Sequence, residues 1–244
     1  MLHTQGIVIR TIKYGETSII ADIFTEEKGL CTFIGGSVRT ARSRMPFSLF
    51  QPMTVIDMVS YWKDDTSALH RLKECKAGRV WTGIPFDLRK GAVALFIAEV
   101  MRKCLHEGNN NEALYGDLLD ILQFLDATTG PVSNIHLHFL VHLAGHLGFQ
   151  PQVDTPKSMP FFDLKEGEVV AQTPLHGQYM TAQETVNLTA FCNTPLEEAA
   201  LLQMPYADRK TLLTKLLLYY QLHVPGFDEI HTPAVLEMVM QHEK

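Results

Sequence analysis

Apolar residues come in two rhythms along this chain. The first eighty residues show short runs in which apolar and polar positions alternate, the period of a strand. The runs are "GIVIRT" (6–11), "SIIADIF" (18–24), "LCTFI" (30–34), "TVIDMVSYW" (54–62) and "ALHRLKE" (68–74). In the second run Ile19, Ala21 and Ile23 fall on one face, with Ile20, Asp22 and Phe24 opposite. Gly29, Gly35-Gly36 and the polar stretch "KDDTS" (63–67) punctuate the runs. Five short strands in so few residues predict a small closed barrel. A five-stranded OB-fold leads and an SH3-like barrel is the rival, because strand counting alone does not separate them.

After Gly83 the spacing becomes helical. "GAVALFIAEVMRKCLHEG" (91–108) lines up Val93, Phe96, Ile97, Val100 and Leu105, and "NEALYGDLLDILQFLDA" (111–127) lines up Leu114, Leu118, Leu119, Leu122 and Leu125. A third helix follows Pro131 and Ser133 and stops at Gly148. "PLEEAALLQM" (195–204), "DRKTLLTKLLLYYQLHV" (208–224) and "TPAVLEMVM" (232–240) give at least three more. Between these groups "FFDLKEGEVVAQT" (161–173) reads as a β-hairpin turning at Glu166-Gly167. The expected class is therefore α+β. A barrel domain spans 1–80, and a helical domain spans 81–244 with a hairpin insertion at about 152–180.

Charge changes the picture. The chain carries −6 overall, yet residues 1–80 hold eleven Lys/Arg against eight Asp/Glu, a net +3 that leaves −9 for the rest. A basic front on an acidic body hints at a polyanion partner for the front. The four cysteines (Cys31, Cys75, Cys104, Cys192) form no Cys-x-x-Cys pair, which argues against a zinc ribbon or disulfide framework. The start "MLHTQGIVIR" has no basic leader before an apolar run, and no apolar stretch reaches the ~20 residues that span a bilayer. We expect a cytoplasmic, nucleoid-associated protein with no membrane partner.

The third helix carries His136, His138, His142 and His146. His138 with His142, or His142 with His146, lie one turn apart, close enough to share a zinc ion. All three on one ion would span about 12 Å of helical rise, too far for bonds of about 2 Å. No Glu neighbours the first histidine as in HExxH. The expectation is a polar stripe facing water or a neighbouring backbone, with no metal and no cofactor. A metal-dependent hydrolase centred on His138, His142 and His146 is the alternative. No phosphate-cradling Gly-rich motif and no nucleophile elbow is found, and Cys192 has no reason to be a nucleophile. We expect no enzyme.

The informative stretch is "GGSVRTARSRMPFSLFQP" (35–52), with Arg39, Arg42 and Arg44 among small hydroxyl residues such as Ser43 and no acid between them. It links two strands, so it is expected as a mobile surface loop whose guanidinium forks suit phosphate oxygens. Arg10 and Lys13 flank the first turn; Trp62 and Lys63 sit near the last hairpin tip; Lys73 and Lys76 extend the track. Trp62 suits stacking on a base as well as it suits packing. A barrel that binds only protein, with this loop solvated, is the other alternative.

"GIVIRTIKYGETS" (6–18), "FTEEKGL" (24–30), "GGSVRTARSR" (35–44) and "LFQP" (49–52), with "LGFQP" (147–151) and "YYQLHVPGF" (219–227), resemble the RecO family of recombination mediators. The resemblance implies an N-terminal OB-fold and a helical C-terminal body. It implies binding of single- and double-stranded DNA, annealing of complementary strands, and contact with RecR and the single-strand-binding protein SSB to help load RecA. It also implies docking of the acidic SSB tail on the helical body, for which the basic candidates are Arg102, Lys103, Arg209, Lys210 and Lys215. Many relatives carry a four-cysteine zinc module where this chain has residues 152–180 without cysteine. A metal-free hairpin packed by Phe161, Phe162 and Tyr179 is expected there.

Overall fold

Alternating burial along the first strands follows directly from the sequence. In β2 (Ser18–Thr25) the side chains of Ile19, Ala21 and Ile23 are fully buried inside a barrel, and in β3 (Gly29–Gly35) those of Cys31 and Phe33 join them. The computed structural model, which describes residues 1–62, 69–108, 110–153 and 161–240, closes these strands with β1 (Leu2–Tyr14), β4 (Val55–Tyr61) and β5 (His70–Ala77). The order around the barrel is β1-β2-β3-β5-β4, closed by β4 on β1. All pairs are antiparallel except β3 with β5, which pairs Phe33 with His70 in parallel. This is the five-stranded OB-type barrel. β1 is much longer than the run 6–11 and pairs with both β2 and β4, with a bulge between Val8 and Arg10 that bends it around the closure.

Phe24 is buried on the outer side of β2, its ring 5.8 Å from that of Tyr115. Tyr115 belongs to α2 (Glu112–Ala127), and α1 (Leu88–Cys104) packs on β1. α1 starts three residues before the expected Gly91, because the Asp87 carboxylate caps the N–H groups of Arg89 and Lys90. On α2, Leu114, Leu118, Leu122 and Leu125 are buried as expected; Leu119 is half-buried, and Tyr115 and Ile121 complete the face. The segment before α1 is fastened by Asp126, whose carboxylate accepts from the backbone N–H groups of Thr82, Gly83 and Ile84 at 2.7–2.9 Å. Position 83 must be glycine for this approach, since a Cβ there would run into the Asp126 carbonyl. The buried Lys90 ammonium donates to that same carbonyl at 2.7 Å.

The described residues group into two compact units, 1–126 and 127–244. In the second, α3 (Ile135–His146) packs against α4 (Ala182–Cys192), α5 (Leu196–Ala200) and α6 (Tyr206–His223), with α7 (Pro233–Met240) beyond. α4 escaped the hydrophobic pattern, although "TAQE" announces it. Thr181 and Glu184 form a reciprocal capping box at its start. The hairpin exists as β6 (Phe161–Asp163) and β7 (Glu168–Val170), with β8 (Tyr179–Met180) on the other side of β6. The segment is held without cysteine. Phe162 is buried against Tyr219, Lys215 donates to the Tyr179 carbonyl at 2.7 Å, and His223 Nε2 lies 2.9 Å from the Leu164 carbonyl. Asp163 caps its turn through the N–H groups of Lys165 and Glu166 and pairs with His176 at 3.1 Å.

Candidate nucleic-acid interface

The basic loop begins with a forced change of direction. Ser37 takes a left-handed backbone, φ 56°, and sends Val38 into the barrel core, where it is 1 % exposed. A Cβ on Gly35 would stand 2.9 Å from the Val38 methyl, so this strand end needs glycine. At the far end Met45 and Leu49 pack on the barrel core and Phe50 is fully buried. Ser43 ties the middle, its hydroxyl donating to the Met45 carbonyl and accepting from the Met45 N–H. The expected free surface loop is thus anchored at both ends, with arginines projecting between the anchors.

The three arginines part company. Arg39 turns to the β1–β2 hairpin, where its backbone N–H donates to Thr17 and its guanidinium to the Gly15 carbonyl at 3.3 Å. Arg42, Ser43 and Arg44 instead line an open groove of ≈1410 Å³ on the barrel surface. Among the described residues neither Arg42 nor Arg44 has an ion-pair partner. Lys73 and Lys76 of β5 line the same groove, with Gln5 of β1 and Asp57, Met58 and Val59 of β4. A volume above the 300–1,000 Å³ usual for small-ligand clefts suits an extended polymer better than a small molecule. The groove is not simply basic, because Glu26, Glu27, Asp57 and Glu74 also line it.

The other candidates lie elsewhere. Arg10 is 3.8 Å from Asp22, its directly paired residue on β2. Lys13 is exposed near the end of β1. Trp62 is half-buried against the barrel core, stacked on the buried His70 with ring centroids 4.1 Å apart and planes 15° apart; the Lys28 ammonium stands 5.6 Å from its ring. Lys63 lies outside the described residues.

These observations describe an OB-type barrel bearing a basic loop over a groove. The family description "Recombination protein O N terminal" matches residues 1–79, and "Recombination protein O C terminal" matches residues 85–229. This chain belongs to the RecO family. Among its relatives, "DNA repair protein RecO" of Christiangramia forsetii is 32 % identical over 98 % of this chain and 99 % of its own length. The proteins of the same name from Bacteroides fragilis and Phocaeicola vulgatus are 32 % and 31 % identical, each over 96 % of this chain and 97 % of its own.

In this RecO-family chain the α3 histidines are not the water-facing stripe that was one of the two expectations for them. α3 is apolar nearly all round and is packed by three helices, so His136 and His138 are 5 % and 6 % exposed rather than facing water. His138 lies against His142, ring centroids 4.0 Å apart, and His142 and His146 are half-buried. Burial, helped by the Arg209 charge, pushes the His136 imidazole down to about 3 and keeps it neutral. Among the described residues no three His, Cys, Asp or Glu side chains converge as a metal site, and no helix is long and apolar enough to cross a membrane.

The basic residues considered for the SSB tail also separate. Arg209 and Lys210 border a small pocket whose apolar wall is Leu213, Leu236 and Met240, with Tyr206 and His136 beside them. Arg209 donates to the Met204 carbonyl, and Lys210 is 2.9 Å from Glu237. Lys215 is engaged by Tyr179 of the hairpin. Arg102 and Lys103 end α1 in the first unit.

Proposed function

We propose that this protein is a non-catalytic recombination mediator. In this reading it binds single- and double-stranded DNA, anneals complementary strands, and with RecR helps load RecA onto SSB-coated single strands. The observation that carries the reading is the pair of guanidinium groups of Arg42 and Arg44, without an ion-pair partner among the described residues, beside an open groove on an OB-type barrel in a member of the RecO family. OB barrels bind strands across one face and between their loops. Guanidinium forks, on a loop anchored to the barrel core through Val38 and Met45, supply sequence-independent phosphate contacts. The test is annealing of complementary strands coated with the cognate SSB. Wild-type protein should accelerate it, and Arg42→Ala/Arg44→Ala should lose most of the acceleration. No acceleration by the wild-type protein would refute the mediator reading.

For the SSB tail, the pocket beside Arg209 and Lys210 is favoured, because an acidic peptide ending in apolar side chains needs an apolar slot with cations at its rim, and those two residues border one. Arg209→Glu/Lys210→Glu should weaken binding of a tail peptide, and Arg102→Glu/Lys103→Glu should leave it unchanged. If binding survives reversal at these four positions and at Lys215, the tail docks elsewhere.

A further inference from the structure

The groove beneath the basic loop carries four cations and four carboxylates, and two of those carboxylates, Asp57 and Glu74, stand beside the two lysines. β5 would ordinarily alternate, sending every second side chain outward. A bulge breaks the alternation. Val59 pairs with Glu74 and Ser60 with Leu72, so Lys73 is the extra residue, and Lys73 and Glu74 are both exposed in succession. The two side chains meet at 3.4 Å. Two residues on, Lys76 lies directly opposite Asp57 on β4, 3.6 Å away, and Asp57 lies directly opposite Gln5 on β1, whose amide donates to it at 2.9 Å. Each groove lysine of β5 therefore has a carboxylate partner, whereas Arg42 and Arg44 have none among the described residues.

We propose that Lys73 and Lys76 form the second phosphate-binding edge of the groove, and that Glu74 and Asp57 occupy them as phosphate surrogates that a bound DNA strand must displace. This rests on the reading of the groove as the DNA site. The chemistry suits a replaceable contact. The pairs are solvent-exposed, with side-chain exposures of 37 % and 69 % for Lys73 and Glu74 and of 79 % and 40 % for Lys76 and Asp57, so water screens them and little holds them closed. Phosphates of a strand held by Arg42 and Arg44 would meet lysines across the groove and carboxylates beside those lysines. Binding exchanges one anion for another at β5 but gains new contacts at the loop. The loop thus anchors the strand, and the β5 pairs set how tightly it is held.

The test is a cycle of four proteins titrated against labelled poly(dT) at several salt concentrations. Asp57→Asn/Glu74→Gln keeps side-chain shape and removes two charges; freeing each lysine from its exposed pair is worth about threefold, so affinity should rise about tenfold at low salt. Lys73→Ala/Lys76→Ala should bind more weakly, with a salt slope flatter by about 1.4. In that lysine-less background the carboxylate substitutions should lose most of their gain. No tightening in Asp57→Asn/Glu74→Gln, or an undiminished gain without the lysines, would overturn the proposal. Should loss of the Gln5 contact unsettle the barrel, Glu74→Gln alone, at an exposed position, keeps the test open with an expected threefold rise. Arg42→Ala/Arg44→Ala in the same titration separates the two readings. If that variant binds normally the groove is not the DNA site; if it weakens while the cycle shows no coupling, only the surrogate role of Asp57 and Glu74 falls.

Discussion

The indole of Trp62 lies on the imidazole of His70, ring centroids 4.1 Å apart and planes 15° apart. His70 is 2 % exposed and its ring is 5.7 Å from that of Phe33, so the stack continues into the barrel core. This ring is covered on the His70 side and approached by Lys28, an arrangement that makes it a barrel residue before it is a stacking platform. Trp62→Ala should therefore lower stability by about 1–3 kcal/mol, from lost burial and a lost aromatic pair. Urea unfolding measures that cost. The folded variant should keep its affinity for poly(dT); a DNA defect of about 1–3 kcal/mol at unchanged stability would restore Trp62 as a base-stacking residue.

Arg42 and Arg44 carry the opposite expectation. If each holds one phosphate of a single strand, Arg42→Ala/Arg44→Ala should flatten the plot of log affinity against log salt by about 1.4. Loss of affinity should be similar on every sequence, because phosphate contacts do not read bases. Both side chains are exposed, so stability should stay within about 0.5 kcal/mol of wild type. A folded double variant with unchanged slope and affinity would remove the loop from the binding site.

Asp126 is the fastening of the segment before α1. Burial alone would raise its carboxyl, but the N–H groups of Thr82, Ile84 and Gly83 together hold it below the ordinary carboxylate range. Its contribution to stability is therefore complete above the unfolded value of about 3.9 and declines as pH falls through the lower folded value. Asp126→Ala should cost about 2 kcal/mol near neutral pH, a figure reduced from the sum of its charged hydrogen bonds because the group is half-exposed. Thermal unfolding against pH should show the wild type and variant converging in acid. A constant gap down to pH about 2 would show that the fastening is not ionic.

His136 acts in a different window. Its imidazole, held down to about 3 by burial and then by Arg209, stays neutral in the folded chain, whereas the unfolded chain takes up a proton near pH 6.5. The unfolded state binds more protons between these values, so stability falls as pH drops below about 6.5, by up to about 1.4 kcal/mol per pH unit. His136→Gln should flatten that part of the stability profile while leaving the region below about pH 4, where Asp126 titrates, in place. A wild-type profile that is level from pH 7 to 5 would contradict the assignment.

Local periodicity was enough to locate the five barrel strands, most of the helices and the hairpin, because apolar spacing is read over a few neighbouring residues. It also singled out the loop holding Arg42 and Arg44, whose composition needs no fold to be unusual. The TAQE capping box marked α4, and only the search for apolar stripes passed over it. Tertiary structure decided the rest. Closing the barrel brings β5 beside β4 and, in parallel, beside β3, and only then do Lys73 and Lys76 share a groove with Arg42 and Arg44 while Arg39 turns to Gly15. The bulge at Lys73, invisible to a period of two, places Glu74 outward beside it. Three helices packed around α3 bury His138, which a helical wheel of α3 alone groups with His142 and His146 in a polar stripe. The sequence by itself determined which side chains each element presents. Closure and packing, which join residues tens of positions apart, determined what each of those side chains meets.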